Sequence, residues 1–245
     1  MMISRLMDKT RRVFLSGVML MTTMSLDSHT PSAQVHIVGA MRETMWNGVL
    51  HANVKLDTLL QQKGLYGLGP MAGLRGEIMV LDGVPYYSQV GANQSMVVGK
   101  SAELGAPFFG YTYIKEWQSE TLPAQVRDIA SLEAYLKERL GASAQTFFRL
   151  KGKVDMANIH VVNLPEGAVV RSPKEAHQGM VNYKLYAEDC EILGFFSTQH
   201  ETIFTHKGNT THMHLINEDK NMMGHLDEIA FEAGQMILLL PKEVR

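Results

Sequence analysis

From Gly141 onward the sequence is a succession of short β-like runs: QTFFRLKGKV, ANIHVVNL, EILGFFST, THMHLIN, HLDEIAFE and QMILLL, each set off by Gly, Pro, Asn or Asp clusters. Short runs rich in β-branched and aromatic residues and bounded by turn formers read as strands, and a series of them predicts an all-β unit. Within it, THMHLIN carries the strongest chemical signal. A strand has a side-chain period of two, so His212 and His214 share one face roughly 7 Å apart while Met213 and Leu215 pack on the other. On a helix the same two residues would point to nearly opposite sides, but the turn formers around the run favour a strand. NEDKNMMG then makes the return connection, and Gly224 allows the backbone to bring His225 close to the pair from the adjoining strand. A divalent ion held by three neutral imidazoles keeps at least one position open for substrate or water, the arrangement of catalytic rather than structural zinc. Spacing alone leaves a second reading open, in which unrelated histidines of a ten-histidine chain are gathered by chance.

The preceding part of the chain is more mixed. ANVKLDTLLQQKG has apolar residues at helical spacing with Gly64 as a stop, which predicts a short helix. EIMVL and VPYYSQV flank Asp82-Gly83, a dipeptide whose easy positive φ suits a two-residue hairpin turn. PFFGYTYIKEW predicts another strand. In LPAQVRDIASLEAYLKERLGA, Val126, Ile129, Leu132, Leu136 and Leu140 recur at helical spacing before Gly141. The expected fold class is therefore α+β: two β-rich subdomains of mixed or antiparallel sheet with a few helices. They divide near residues 141 to 145, into an N-terminal α+β subdomain at 35–143 and a C-terminal β-rich metal-binding subdomain at 144–245.

Composition narrows the function. The chain of 245 residues is 45% hydrophobic and 20% charged, enough to bury a core. A formal net charge of −2 and the absence of a Lys/Arg-rich run exclude nucleic acid as an expected partner, because phosphate neutralisation supplies most of that affinity. The seventeen methionines are scattered rather than striped, which suits flexible core filler. Residues 1–34 stand apart. Arg5, Lys9, Arg11 and Arg12 lead into the apolar stretch Val13 to Leu26, followed by a polar segment ending Ser32-Ala33-Gln34. This pattern predicts an export signal that is cleaved, leaving the protein periplasmic or secreted. TRRVFLS resembles the twin-arginine signal, with Ser16 where a lysine is usual. The apolar stretch is short for a bilayer, which needs about 20 residues, so no stable membrane anchor is expected. Cys190 is the single cysteine and forms no internal disulfide, so core and metal must hold an exported chain together.

Three segments in order, LYGLGPMAGLRGEIMVLDGVPYY, FFRLKG and HMHLINEDKNMMGHLDE, together resemble the α-acetolactate decarboxylase family across about residues 40 to 240. The resemblance implies a fold of two β-rich subdomains with the metal near their junction. It implies that His212, His214 and His225 are the metal ligands, with Zn2+ expected and manganese, iron, nickel or copper also accepted by such a site. It also matches GEIMVLDG to the stretch that bears an active-site glutamate, here Glu77. The implied activity is that of a carboxy-lyase: metal-dependent, non-oxidative decarboxylation of 2-acetolactate to acetoin and CO2. The expected partner is thus a small 2-hydroxy-3-oxo acid, and a homodimer is allowed for.

The sequence departs from the family pattern in two places. The family's active-site arginine, in the strand after its Arg-x-x-Gly element, corresponds to His160 in NIHVV, so a permanent cation is replaced by a titratable group and His160 becomes a catalytic candidate. Arg149 and Arg171 lie near in sequence, at positions that do not match. The family also continues past the strand-ending Leu-Pro to a terminal segment that supplies another active-site glutamate, and no counterpart of that carboxylate is expected after LLLPKEVR. A cupin-like metal protein is an alternative, since HMH is followed by Glu218 and a glycine, but the only Pro-x-Gly tripeptide, Pro165-Glu166-Gly167, lies upstream and lacks the fourth histidine. A related metalloprotein with a changed substrate, or a binding protein without turnover, shares the same metal pattern.

Overall fold

The structure is a computed structural model that describes residues 33–232 and 234–242, so nearly all of the predicted export segment lies outside the described residues. Among the described residues no helix is long and apolar enough to cross a membrane. The chain begins with β1 (His36–Val38), α1 (Met41–Asn47), β2 (Val54–Lys55), α2 (Leu56–Leu59), β3 (Leu65–Pro70), β4 (Glu77–Leu81), β5 (Val84–Val90), β6 (Met96–Lys100), β7 (Gly105–Ala106) and β8 (Phe109–Tyr113). Six of these strands form one sheet in the order β1-β8-β3-β4-β5-β6, while β2 and β7 pair separately. The rest of the chain contributes β9 (Trp117–Thr121), α3 (Ile129–Leu140), β10 (Gln145–Val161), α4 (Pro173–Ala176), β11 (Val181–Ser197), β12 (Thr211–Asn217), β13 (Met223–Ala230) and β14 (Met236–Pro241). Its strands make a second six-stranded sheet in the order β11-β12-β13-β10-β14-β9. The expected class, two β-rich sheet regions with few helices, is what the chain adopts, and each pairing between named strands is antiparallel.

Local chemistry accounts for several elements. At the β4–β5 turn Leu81 pairs with Val84, and Asp82 (φ 48) and Gly83 (φ 77) both take positive φ, as a type I′ turn requires. Helix α3 opens on a capping box between Asp128 and Ser131 and ends with Lys137 and Arg139 in its last turn, where they complement the carbonyl end of the helix dipole. The helix expected over ANVKLDTLLQQKG is narrower, four residues after the short β2, because Val54 and Lys55 are taken up by pairing with β7.

QTFFRLKGKV and ANIHVVNL, read separately in the sequence, are one continuous 17-residue strand, β10. Strand β11 pairs with it from Gln145↔Ser197 to Val161↔Val181 and so carries the ladder through polar Lys151 and Lys153. On its other side β10 takes β14 at Arg149–Gly152 and β13 at Met156–His160. Pairings β11–β12 and β12–β13 then close the circuit β10-β11-β12-β13-β10. The chain passes from the first sheet to the second between Tyr113 and Trp117, so β9, which lies before the division expected at 143–144, packs with the second sheet by pairing with β14.

Two hydrophobic clusters lie on opposite faces of this circuit. One gathers Ile159, Met213, Leu215 and Leu226 with Leu132 and Leu136 of α3. The other gathers Phe195, Phe204, Ile216 and Met223 with Leu68, Met79 and Phe108 of the first sheet. Each fully buried apolar side chain contributes roughly 1.5–3 kcal/mol, so these clusters hold the fold without a disulfide. Cys190 is a buried free thiol that burial pushes up to about 12, which leaves it without nucleophilic thiolate.

Close approach of backbones brings β13 to β10. A Cβ on Gly224 would lie 2.5 Å from the carbonyl oxygen of His160. Gly224→Ala should therefore cost about 1–3 kcal/mol in chemical denaturation, the usual range for overpacking, and should weaken any metal that His225 helps to hold. Wild-type stability in that variant would show that the two strands can separate freely.

Candidate metal centre

Three neighbouring strands set a row of imidazoles. In the ladder His214 of β12 pairs with His225 of β13, and His225 pairs in turn with His160 of β10. Directly opposed residues on one face sit about 5 Å apart, and the ring centres follow suit, at 5.5 Å for His214–His225 and 4.7 Å for His160–His225. The two-residue period adds His212 on the same face, 5.3 Å from His214 and 4.9 Å from His225. His212, His214 and His225 each offer a ring nitrogen within 4.8 Å of the others. Zn–N bonds of about 2.0–2.1 Å at tetrahedral angles place imidazole centres roughly 5 Å apart, so this triad could hold a divalent ion with little movement.

The chemistry of the donors fits an ion as well. All three histidines are buried, and burial holds their pKa values down, His214 to about 3 and His212 and His225 well below the ordinary value. They are neutral imidazoles near pH 7, the form that binds metal. His212 Nδ1–H donates to the Phe204 carbonyl at 2.8 Å, which leaves Nε2 as the free lone pair. His214 is fully buried, with the Ile78 backbone and Glu77 Oε2, 3.6 Å from its Nε2, as polar neighbours, so a metal bond would satisfy a ring nitrogen that water does not reach.

Glu77 enters from the other sheet. It begins β4, is 2% exposed, and accepts the Val162 N–H at 3.2 Å through Oε1 while Oε2 stands 3.6 Å from His214 Nε2. Burial pushes its carboxyl up to about 7, against the nearby His160 imidazole and the Val162 N–H, which act the other way. A buried carboxylate with one hydrogen bond to the described residues is costly to keep charged, which is why burial favours its neutral form. Its placement puts the site between the two sheets.

A void of about 20 Å3 lies beside two of the triad, His212 and His225, and is bounded also by Glu77, His160, His177 and His206. That is room for little more than a water or an ion. Four of those histidines, His160, His177, His206 and His225, also line an adjoining cleft of about 240 Å3 together with Asp227, Asn209 and Thr211. His206 and His177 escaped sequence reasoning. Both stand on irregular segments, where no periodicity fixes a side chain's direction. His206 lies 5.0 Å from His225 and 6.2 Å from His212, ring centre to ring centre, and His177 lies 5.8 Å from His160. The one available signal was the number of histidines. Glu133 of α3 braces the entry to β12, accepting the N–H groups of Thr210 and Thr211 and the Thr211 hydroxyl.

The arginines near in sequence serve elsewhere. Arg149 is ion-paired with Glu191 and sits over the rings of Tyr66 and Trp117, at 5.2 and 5.1 Å. Arg171 is exposed. Neither lines the void or the cleft.

A β-rich chain that sets three buried imidazoles beside a buried glutamate has, in its fold and site, a place that could hold one divalent ion. The family described as Alpha-acetolactate decarboxylase matches residues 37–244, and the chain belongs to that family. Its fold is similar to that of alpha-acetolactate decarboxylase from Bacillus subtilis strain 168, with a TM-score of 0.70 at 19% identity over 86% of both chains. The enzyme from Bacillus subtilis subspecies spizizenii aligns equally well, with a TM-score of 0.70 at 19% identity over 86% of this chain and 87% of that one. A Staphylococcus aureus protein of unknown function similar to alpha-acetolactate decarboxylase also has a TM-score of 0.70, at 15% identity over 86% of each chain. No curated protein matches the chain significantly.

Proposed function

We propose that the protein catalyses metal-dependent, non-oxidative decarboxylation of a 2-hydroxy-3-oxo acid, 2-acetolactate or a close 2-alkyl relative, to a 2-hydroxyketone such as acetoin. The observation that carries this reading is the meeting of Glu77 with the histidine triad across the two sheets, beside a void and a cleft that share His160, His177, His206 and His225 in their walls. The family match to residues 37–244 favours it over a cupin-like protein.

The reaction breaks the bond between C2 and the carboxylate carbon. CO2 leaves, the electron pair is accepted by the neighbouring carbonyl, and one proton must be added at C2. An ion held by His212, His214 and His225, with zinc our choice, supplies positive charge where oxygen charge develops. Everything else falls to the chain. Glu77, held by the Val162 N–H, manages the proton at one face of the enediol carbon, so that the product is chiral. His160, buried beside His225 at the position where the family resemblance leads one to expect a guanidinium, offers its second ring nitrogen to a hydroxyl of the substrate, the first being held by Asp227. The void itself holds little more than an ion, so the adjoining cleft of about 240 Å3 is where a substrate of this size finds room.

The deciding experiment measures CO2 release from racemic 2-acetolactate by zinc-loaded protein. Release well above the spontaneous rate, with acetoin as product, is expected. Metal bound without release above background would reassign the scaffold to another substrate or to binding alone.

A further inference from the structure

Strand β13 does not run straight past β10. His225 pairs with His160 and Leu226 with Ile159, but the next partner of β10, Asn158, pairs with Glu228. Asp227 is the extra residue, a β-bulge, and a bulge re-aims the side chains around it. Its effect is specific: both Asp227 carboxylate oxygens lie against His160 Nδ1, at 2.9 and 2.8 Å.

A carboxylate only accepts, so Nδ1 carries the hydrogen and Nε2 is left for other work. Nε2 makes no hydrogen bond to the described residues, and the ring lines both the metal-facing void and the outer cleft. His177 is tied in the same manner, Nδ1 to the Pro173 carbonyl at 2.6 Å, but by a neutral acceptor. Asp227 supplies a charged one, and such hydrogen bonds are roughly twice as strong as neutral ones. The groups around the His160 ring are thus Asp227 behind it, Glu77 and His225 toward the metal centre, and His177 toward the cleft.

We propose that Asp227 is a positioning residue: the bulge exists to pin His160 by Nδ1, fixing ring plane and tautomer so that the Nε2 lone pair is turned to the void and cleft that the ring lines, where it accepts from a hydroxyl group of a small substrate. The pinning itself is a matter of geometry, and its functional consequence rests on the reading of this cavity as a substrate site. Without the bulge, strict alternation would keep the carboxylate in step with the His225 row and would not bend it onto His160. A ring held in advance loses no freedom when substrate arrives.

The test uses the full metal-loaded chain, with Asp227→Asn and Asp227→Glu compared with wild type by long-range 15N NMR of the imidazoles and by steady-state kinetics. In wild type and Asp227→Glu, His160 should show a single tautomer with hydrogen on Nδ1. In Asp227→Asn, whose amide can donate or accept, that preference should be lost while metal content stays the same. kcat/KM should then fall at least about tenfold in Asp227→Asn and be largely restored in Asp227→Glu. An unchanged His160 tautomer in Asp227→Asn would overturn the proposal, as would equal loss of turnover in both variants with the tautomer intact. If wild type shows no decarboxylation yet the tautomer follows Asp227 as expected, the activity reading fails and the positioning role stands.

Discussion

Replacing His214 by alanine is expected to abolish metal binding and turnover together. His214 completes a triangle with His212 on its own strand and His225 across the ladder, and it is the most deeply buried of the three. Two imidazoles cannot hold a divalent ion against water and buffer as three do. The effect should be legible without an activity assay. Elemental analysis of untagged wild type should find about one divalent ion per chain, and zinc at roughly a hundred times its dissociation constant should raise wild-type stability by about 2.7 kcal/mol. The alanine variant should bind none and gain nothing from added zinc. Retention of the ion with wild-type turnover in His214→Ala would remove the triad from the mechanism.

Glu77→Gln should separate chemistry from metal binding. The amide keeps the shape of the side chain and its oxygen can still accept the Val162 N–H. What it loses is the ability to take or deliver a proton. Turnover should fall about 10²-fold or more with metal content unchanged, the range associated with a positioned acid or base. Stability should hold or rise, because a buried carboxylate with a single hydrogen bond to the chain is an unfavourable group to fold around, as its carboxyl pushed up to about 7 reflects. Full turnover in this variant would move proton handling to one of the histidines lining the void, with His160 the first to examine.

The features legible in the sequence are those set by short-range periodicity and turn chemistry. THMHLIN is β12 to the residue, because alternation over seven positions and turn formers on both sides leave one way to lay it against a core. The Asp82-Gly83 hairpin and α3 with its Gly141 stop were readable for the same reason: both depend on φ preferences and spacing within a few residues. Glu77 was readable only through resemblance, since nothing within GEIMVLDG distinguishes a buried strand glutamate from an exposed one.

The sequence by itself therefore determined a β-rich chain with His212 and His214 on one strand face and His225 just beyond a return connection. Tertiary structure decided the rest. It joined two apparent strands into β10 through pairing with β11, and it set His160 beside His225. It also carried Glu77 from the first sheet to within 3.6 Å of His214 and placed His177 and His206 at the void. The bulge that turns Asp227 onto His160 belongs here too, because a bulge is a mismatch between two strands and neither strand's sequence alone records it. Strand periodicity is a property of one segment, whereas register, sheet contact and cavity lining are properties of pairs of segments far apart in the chain.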